Sequence, residues 1–393
     1  MRLCQQLQYI RESPTIALAD RVRKLKAEGK QVIALQTGDP DFATPTPIVE
    51  AAQQALQDGF THYSNSRGLP ELREIISHQL AQKYQVHYDP ESEILVTNGG
   101  VHAYFCALRA ILDPDDEVLV PDPTWITHAN VVTLLGGQKK RVASRAEYDF
   151  WPQIEDWEQA VSEKTVALVI NSPHNPTASV ASAEYLHEVM RFAIRHNLYV
   201  ISDEVYQTIM FDGRPHVCVA SLPEARERTL LINSLSKSYA MTGWRVGYLA
   251  APANVISQAL KVSQHTITNV APFVQKAAIC ALTDPQVTVA LKQMVAHYQQ
   301  RRDLALDIIK TQHDAGVRVI DPQGAFYLFL DVRQLGNSSM TIAEQLLNDA
   351  LVSVVPGVAF GNCGEGFVRM TIAASEEEIE TGLRKLLKWA SQR

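Results

Sequence analysis

The sequence predicts an α/β fold in which helices cover a mostly parallel sheet. Short apolar runs alternate with helix-period patterns through the middle of the chain. Several of these runs are continuously apolar, as in VALVI at 166–170. A strand buried on both faces needs such a run, and strands that alternate with helices favour parallel pairing.

The middle of the chain contains six predicted strands and at least two predicted helices. The strands are Glu93–Thr97, Glu117–Val120, Thr165–Ile170, Leu198–Ser202, Thr229–Asn233 and Val246–Ala250. After Gly99-Gly100, apolar residues recur at helical spacing up to Asp113-Pro114, and Ala183–His196 has the same period. This spacing places the apolar side chains on one face of each helix.

The two ends of the chain have a different pattern. A long charged helix pattern begins near residue 285, and a final amphipathic helix begins at Glu376. Three strand-like runs lie between them, at Ala325–Leu330, Val352–Val355 and Phe367–Ile372. We therefore predict a large domain over 46–284 and a smaller α+β domain formed by 1–45 and 285–393.

Composition excludes several functional classes. With 36 Lys+Arg against 43 Asp+Glu the net charge is −7, and without a basic block nothing indicates nucleic-acid binding. The first residues lack the apolar stretch of a signal peptide, and no long apolar run predicts a membrane span. The five cysteines form no CxxC pair, which is typical of a reducing compartment and predicts no metal site. We expect a cytoplasmic protein.

Polar residues follow the carboxyl ends of the predicted strands, where open α/β sheets bind ligands. They include a lysine, a carboxylate and groups suited to an anion: Gly99, Gly100, Trp125, Asn175, Asp203, Tyr206, Ser234, Ser236 and Lys237. Pyridoxal phosphate requires an amine for a Schiff base, a carboxylate for its pyridinium nitrogen and donors for its phosphate. The combination predicts this cofactor.

Taken singly, most of these residues have an ordinary structural explanation. Gly99-Gly100 can form a turn before a core helix, Asp203 can cap a helix, and Trp125 can belong to the core. Lys237 is the exception, because it stands between two serines within SLSKSYAMTGWRVGY. The prediction therefore depends on the set of residues and not on any one of them.

The stretch S-x-S-K-x-x-x-M-T-G-W-R-x-G-Y at 234–248 resembles the signature of the class I/II, fold-type I aminotransferases that depend on pyridoxal phosphate. The similarity is greatest to the prokaryotic aspartate aminotransferase subgroup and extends from Gly38-Asp-Pro-Asp-Phe through His62-Tyr63 to Arg369. It implies the fold-type I architecture, with a large cofactor domain and a smaller α+β domain. It also implies ping-pong transfer of an amino group between an L-amino acid and a 2-oxo acid.

The resemblance implies a role for each residue around the cofactor. Lys237 would form the Schiff base and move the proton, while Asp203 would keep the pyridinium nitrogen protonated. Tyr206 and Asn175 would hydrogen-bond the phenolic oxygen of the ring, and Trp125 would stack on it. The phosphate would be bound by the Gly99-Gly100 turn with the amides of Gly100 and Val101, by Ser234 and Ser236, and by Arg245.

The resemblance also implies substrate and partner contacts. Arg369 would bind the substrate α-carboxylate, a task that suits a bidentate guanidinium better than an amine. Gly38 would lie against the substrate, with Asn175 and Thr15 in the same pocket. Tyr63 would reach the phosphate in the neighbouring subunit, which implies a homodimer with shared sites.

The chain departs from the family pattern next to the glycine pair. Aspartate-specific members have a lysine at that point, which binds the distal carboxylate, and Val101 stands there in this chain. Ser13 and Thr15 keep the expected polarity nearby. We expect weak activity on aspartate, because its second carboxylate would lose its ion-pair partner.

Other positions leave questions open. Ala178 stands where the family has glycine, so the loop is altered or the glycine is dispensable there. Arg67 can meet a substrate, a partner chain or only solvent, while His102 and His174 are expected to be structural. The same cofactor cage also serves lyases and cyclases, including those that cyclise hydroxylated arginine. We keep elimination or cyclisation as the alternative to transamination.

Overall fold

The structure, a computed structural model, describes residues 6–10, 14–312 and 315–393. Its α-helices are α1 (Pro14–Ala27), α2 (Thr46–Gln57), α3 (Pro70–Tyr84), α4 (Gly100–Ile111), α5 (Ile126–Leu134), α6 (Ile154–Ala160), α7 (Ala183–Arg195), α8 (Leu235–Ser238), α9 (Ala253–Thr266), α10 (Pro272–Thr283), α11 (Pro285–Thr311), α12 (Ser339–Gln345) and α13 (Glu376–Ala390). Its strands are β1 (Ile33–Ala34), β2 (Ile94–Thr97), β3 (Glu117–Asp122), β4 (Gln138–Ala143), β5 (Thr165–Asn171), β6 (Tyr199–Asp203), β7 (Thr229–Ser234), β8 (Gly247–Ala250), β9 (Arg318–Val319), β10 (Tyr327–Asp331), β11 (Val352–Ser353), β12 (Val355–Pro356) and β13 (Phe367–Thr371).

Seven strands form one sheet in the order β2-β8-β7-β6-β5-β3-β4. The neighbours from β7 to β4 are parallel, and β8 is antiparallel to β2 and to β7. All six strands predicted for the middle of the chain belong to this sheet, and no end differs from the prediction by more than two residues. The predicted α/β class with a mostly parallel sheet is confirmed.

The continuous apolar run of β5 is explained by burial on both faces. Leu168 and Ile170 pack in a cluster with Trp157 of α6 and with side chains of α7. Val169 points to the other face and joins residues of α4, α5 and α9. A strand buried in this way has no solvent face that needs polar side chains.

Strand β4 was missed by the sequence reading. Its residues, QKKRVA, are mostly polar, and the strand lies at the edge of the sheet, where β3 is its neighbour. An edge strand can keep charged side chains exposed, so it shows no apolar run.

The C-terminal strands form a separate antiparallel sheet in the order β12-β13-β10-β9. The single predicted strand Val352–Val355 is wrong, because Ser353 pairs with Ala34 of β1 while Val355 pairs with Arg369 of β13. The chain changes partner at this point, so the apolar run is divided between two sheets. The helices predicted from about residue 285 and from Glu376 correspond to α11 and α13.

Strands β1 and β11 join the two ends of the chain in parallel pairing. The division into 46–284 and into 1–45 with 285–393 stays a prediction, and this pairing agrees with the assignment of both ends to one unit.

Candidate active site

A cavity of about 500 Å³ opens at the carboxyl ends of the parallel strands. Side chains from the N-terminal segment, the large sheet and the C-terminal sheet meet around it. Its walls include most residues predicted for the site, namely Gly38, Gly100, Val101, Trp125, Asn175, Asp203, Tyr206, Ser234, Ser236, Lys237, Arg245 and Arg369.

Lys237 lies on the short helix α8 directly after β7. Its Nζ donates a hydrogen bond of 2.6 Å to the backbone oxygen of Gly38. Burial lowers the pKa of Lys237 to about 8, with a further lowering by Arg369 and Arg245 that Asp39 opposes. The amine is therefore unprotonated in a larger fraction of molecules than an exposed lysine would be.

Asp203 is the last residue of β6, and His128, which the sequence did not identify as a site residue, lies within hydrogen-bond distance of its carboxylate. His128 Nε2 lies 2.9 Å from Asp203 Oδ2, and its Nδ1 lies 3.1 Å from Thr124 Oγ1. His128 and Asp203 are both buried. Asp203 is far from Thr124 and His128 in the chain, so no local pattern predicts the contact between His128 and Asp203.

Two phenols meet in the wall of the cavity. The hydroxyl oxygens of Tyr206 and Tyr327 are 2.8 Å apart, and both side chains are buried. Tyr327 belongs to β10, far along the chain from Tyr206, so no local pattern predicts the contact. A Cβ on Gly38 would overlap the Tyr327 hydroxyl, which explains why a glycine stands there.

Arg369 of β13 is buried and only partly bonded. Its Nη1 donates to Asn175 Oδ1 at 2.9 Å, and its Nη2 donates to the backbone oxygen of Gln36 at 2.8 Å. The guanidinium lies between two rings, 4.4 Å from the centre of Tyr327 and 4.9 Å from that of Phe360. Among the described residues its Nε has no hydrogen-bond partner. A carboxylate would satisfy this buried cation.

Donors suited to an anion meet where α4 begins. Gly99 precedes the helix with φ +80, and a Cβ there would lie 2.6 Å from Arg245 Nη2. Ser234 Oγ donates to Ser236 Oγ at 2.8 Å next to this turn. Arg245 itself has φ +54, a strained backbone conformation for a residue other than glycine. The turn leaves room for the guanidinium, and the helix start adds free N–H groups.

These features fit pyridoxal phosphate. The cavity offers a buried amine with a lowered pKa at Lys237, a buried carboxylate at Asp203 and an anion site beside Arg245. The unpaired Nε of Arg369 offers a second position for an anion. An amine, a carboxylate and a phosphate site in one cavity are the groups that this cofactor needs.

Some predicted site residues lie elsewhere or outside the description. Tyr63 is 87% exposed and does not line the cavity of its own chain. Ser13 and the side chain of Thr15 lie outside the described residues. Arg67 does not line the cavity either, and its charged neighbours include Arg73 and Glu91.

The loop with the unusual alanine keeps a glycine-like backbone. Ala178 has φ +63, and its N–H donates to the backbone oxygen of His174 at 2.8 Å. His174 is buried beside Thr177, and burial lowers the pKa of His174 to about 3. His102 accepts at Nδ1 from the Asn98 N–H at 3.2 Å. These contacts agree with structural roles for both histidines.

The sequence profile of the family "Aminotransferase class I and II" matches residues 30–386. The chain belongs to this family. It is 40% identical to an aspartate aminotransferase of Pyrococcus abyssi, over 93% of this chain and 94% of that protein. It is 36% identical to aromatic-amino-acid aminotransferase 2 of Thermococcus litoralis, over 99% and 98% of the two chains.

A solved structure agrees with these sequence matches. The aspartate aminotransferase of Thermus thermophilus with maleate superposes with a TM-score of 0.93 at 36% identity, covering 99% of this chain and 100% of that chain. The protein is therefore a fold-type I aminotransferase that depends on pyridoxal phosphate and acts on amino acids and 2-oxo acids. The alternative of a lyase or cyclase is not favoured by these similarities.

In the described ranges, no three His, Cys, Asp or Glu side chains gather as they would around a metal ion. Over the same residues, no helix combines the length and apolar character needed to cross a membrane.

Proposed function

We propose that this aminotransferase acts on neutral amino acids with apolar or aromatic side chains in preference to aspartate, and that Lys237, Asp203 and Tyr206 perform its chemistry. The observation that carries the proposal is the meeting of Lys237, Asp203, Arg245 and Arg369 around one cavity. One amine, one carboxylate and two guanidinium groups correspond to the cofactor aldehyde, the ring nitrogen, the phosphate and the substrate carboxylate.

Bound pyridoxal phosphate withdraws electrons from the substrate Cα and so makes its proton removable. Lys237 Nζ is the group that binds the cofactor covalently and afterwards takes and returns that proton. Its lowered pKa supports both tasks, because only the unprotonated amine can act as nucleophile or base. His128 orients Asp203, which would keep the ring nitrogen protonated, while Tyr206 and Asn175 would donate to the ring oxygen.

At the other end of the site, Arg369 binds the α-carboxylate with its unpaired Nε and an Nη group. Asn175 and the Gln36 backbone hold the guanidinium in place, so little side-chain entropy is lost on binding. Gly99, Gly100, the Val101 amide, Ser234, Ser236 and Arg245 would bind the phosphate, and Trp125 would stack on the ring. All of these residues except Gly99 line the cavity.

The preference for apolar substrates rests on the apolar side chains that line the cavity. Val101 is 41% exposed and lines the cavity together with Ile16 and Ile126. Arg23 also lines the cavity, but its side chain is 78% exposed and pairs with Asp20. An exposed, already paired cation contributes little to binding a second carboxylate. The names of the similar proteins include aspartate and aromatic aminotransferases, so the fold accommodates both classes.

The assembly and location are part of the same proposal. Tyr63 is exposed in the single chain, and in a homodimer it would contact the neighbouring site. We also propose Thr15 as a substrate contact. The described cysteines Cys106, Cys218, Cys280 and Cys363 are free thiols, which supports a cytoplasmic location. We also propose that the chain is divided into a large domain over 46–284 and a small domain over 1–45 and 285–393.

Borohydride trapping tests the assignment of the lysine. After reduction and digestion of the holoenzyme, the peptide that contains Lys237 should carry the mass of the reduced cofactor. Lys237→Ala should lose this adduct, and Lys83→Ala should keep it, although burial lowers the pKa of Lys83 as well. An adduct at another lysine would overturn the assignment.

Subunit mixing tests the shared site. Lys237→Ala and Tyr63→Ala chains should each be weakly active, and unfolding and refolding them together should restore activity. Mixed dimers then contain one site with an intact Lys237 and an intact Tyr63. A mixture no more active than its components would contradict the role of Tyr63.

A further inference from the structure

Tyr327 is a residue that contacts both ends of the site. It opens β10 and pairs with Thr371 of β13, two residues beyond Arg369. Its hydroxyl contacts Tyr206, and its ring lies under the guanidinium of Arg369. One side chain therefore contacts both the proposed partner of the cofactor ring and the proposed partner of the substrate carboxylate.

The hydroxyl groups of Tyr206 and Tyr327 hold two protons between them. Burial raises the pKa of Tyr206 well above that of an exposed tyrosine, and it raises the pKa of Tyr327 as well. Both phenols therefore keep their protons at neutral pH, so the pair holds two protons and needs only one for the bond between them. The second proton is free to be donated into the cavity.

The charged groups around the pair act in opposite directions. Arg369 favours the ionised form of both phenols, whereas Asp203 opposes it at Tyr206 and Asp39 opposes it at Tyr327. Lys237 lies near Asp39 and Arg369. Burial outweighs these charges, and the neutral pair is retained.

The absence of a side chain at Gly38 leaves space for the Tyr327 hydroxyl. Any side chain at Gly38 would overlap that oxygen, and the backbone oxygen of Gly38 accepts the hydrogen bond from Lys237 Nζ. The position of the hydroxyl is therefore fixed by its neighbours and is not an accident of rotamer choice.

We propose that Tyr327 is a positioning residue with two functions: its hydroxyl donates to Tyr206 so that the Tyr206 proton points to the cofactor, and its ring holds the Arg369 guanidinium in place for the carboxylate. The inference rests on the proposed roles of Tyr206 and Arg369. A phenol that accepts a hydrogen bond becomes a stronger donor, so Tyr327 strengthens the bond from Tyr206 to the ring oxygen.

Two substitutions separate the functions. Tyr327→Phe removes only the hydroxyl, and spectrophotometric titration of the bound cofactor should show its chromophore pKa raised by about 0.7, which corresponds to about 1 kcal/mol. The KM for the amino acid should stay within about twofold, because the ring remains over Arg369. Tyr327→Leu removes the ring too, and its KM should rise about tenfold. Tyr327→Met repeats this test with a different apolar side chain should the leucine variant not fold.

Tyr206→Phe distinguishes a failure of the inference from a failure of the proposed function. This variant should raise the chromophore pKa by more than Tyr327→Phe does, and the double variant should show no further rise, because Tyr327 acts through Tyr206. If Tyr206→Phe shifts the pKa and Tyr327→Phe does not, the inference is wrong while the role of Tyr206 stands. If Tyr206→Phe leaves the pKa unchanged, the proposed role of Tyr206 itself is wrong. A raised KM in Tyr327→Phe equal to that in Tyr327→Leu would overturn the function of the ring.

Discussion

His128 Nε2 and Asp203 Oδ2 lie 2.9 Å apart in the interior, and His128 is fully buried. Thr124 Oγ1 contacts the other ring nitrogen, which fixes the orientation of the imidazole. Asp203 ends β6 and His128 lies in the first turn of α5, so the fold places this carboxylate in the wall of the cavity. A buried carboxylate without such a partner would be costly.

His128→Asn should weaken binding of the cofactor. A hydrogen bond to a charged group contributes about 1.5–3 kcal/mol, so the Kd of pyridoxal phosphate should rise at least about tenfold. Fluorescence titration of the apoenzyme measures this Kd. His102→Asn is the matched control, because His102 contacts Asn98 and Thr266 outside the cavity. Equal Kd values for both variants would contradict the role of His128.

The lowered pKa of Lys237 predicts a pH dependence for uptake of the cofactor. Since the amine reacts only when unprotonated and its pKa is about 8, the rate of uptake by the apoenzyme should rise with pH and level off above about 8. Stopped-flow absorbance follows the reaction, and free Nα-acetyl-lysine is the reference, with a midpoint near the ordinary lysine value of about 10.4. A midpoint close to that of the reference would show that the protein does not depress this pKa.

Val101→Lys should shift the substrate preference toward aspartate. A lysine at the start of α4 would give the second carboxylate an ion-pair partner, and the ratio of kcat/KM for aspartate to that for phenylalanine should rise about tenfold or more. Val101→Met adds length without charge and serves as the control. An equal change in both variants would mean that size and not charge sets the preference.

Ala178→Gly should stabilise the protein by about 1 kcal/mol, because alanine at φ +63 is strained and glycine is not. Thermal unfolding of the holoenzyme measures the difference. Ala181→Gly, nearby and equally buried but without a positive φ, should instead destabilise it. A loss of stability in Ala178→Gly would mean that the packing of its methyl group outweighs the backbone strain.

The fold was predictable where a strand is buried on both faces. Leu168 to Ile170 need apolar side chains on alternate sides, so β5 is visible in the sequence, whereas the exposed edge strand β4 is not. The change of partner after Ser353 depends on the position of β1, which lies far away in the chain. Local patterns carry no information about such pairings.

For the site, too, local motifs were predictable from the sequence and contacts between distant residues were not. Lys237 and Arg245 lie in one short motif, and the structure places both at the cavity that the strand ends predict. Tyr327 lines the cavity and His128 contacts Asp203, but each joins its partner across a long separation in the chain, so no motif identifies either residue. That Gly38 lies against the substrate stays a prediction, and the structure adds that a Cβ there would overlap the Tyr327 hydroxyl.

The most direct test of the account is a half-reaction of the holoenzyme with phenylalanine in the absence of a 2-oxo acid. We predict release of about one equivalent of the 2-oxo acid per site, with the original absorbance restored by 2-oxoglutarate, as ping-pong transfer requires. Continued consumption of the amino acid without an acceptor, with ammonia released and no dependence on 2-oxoglutarate, would contradict transamination.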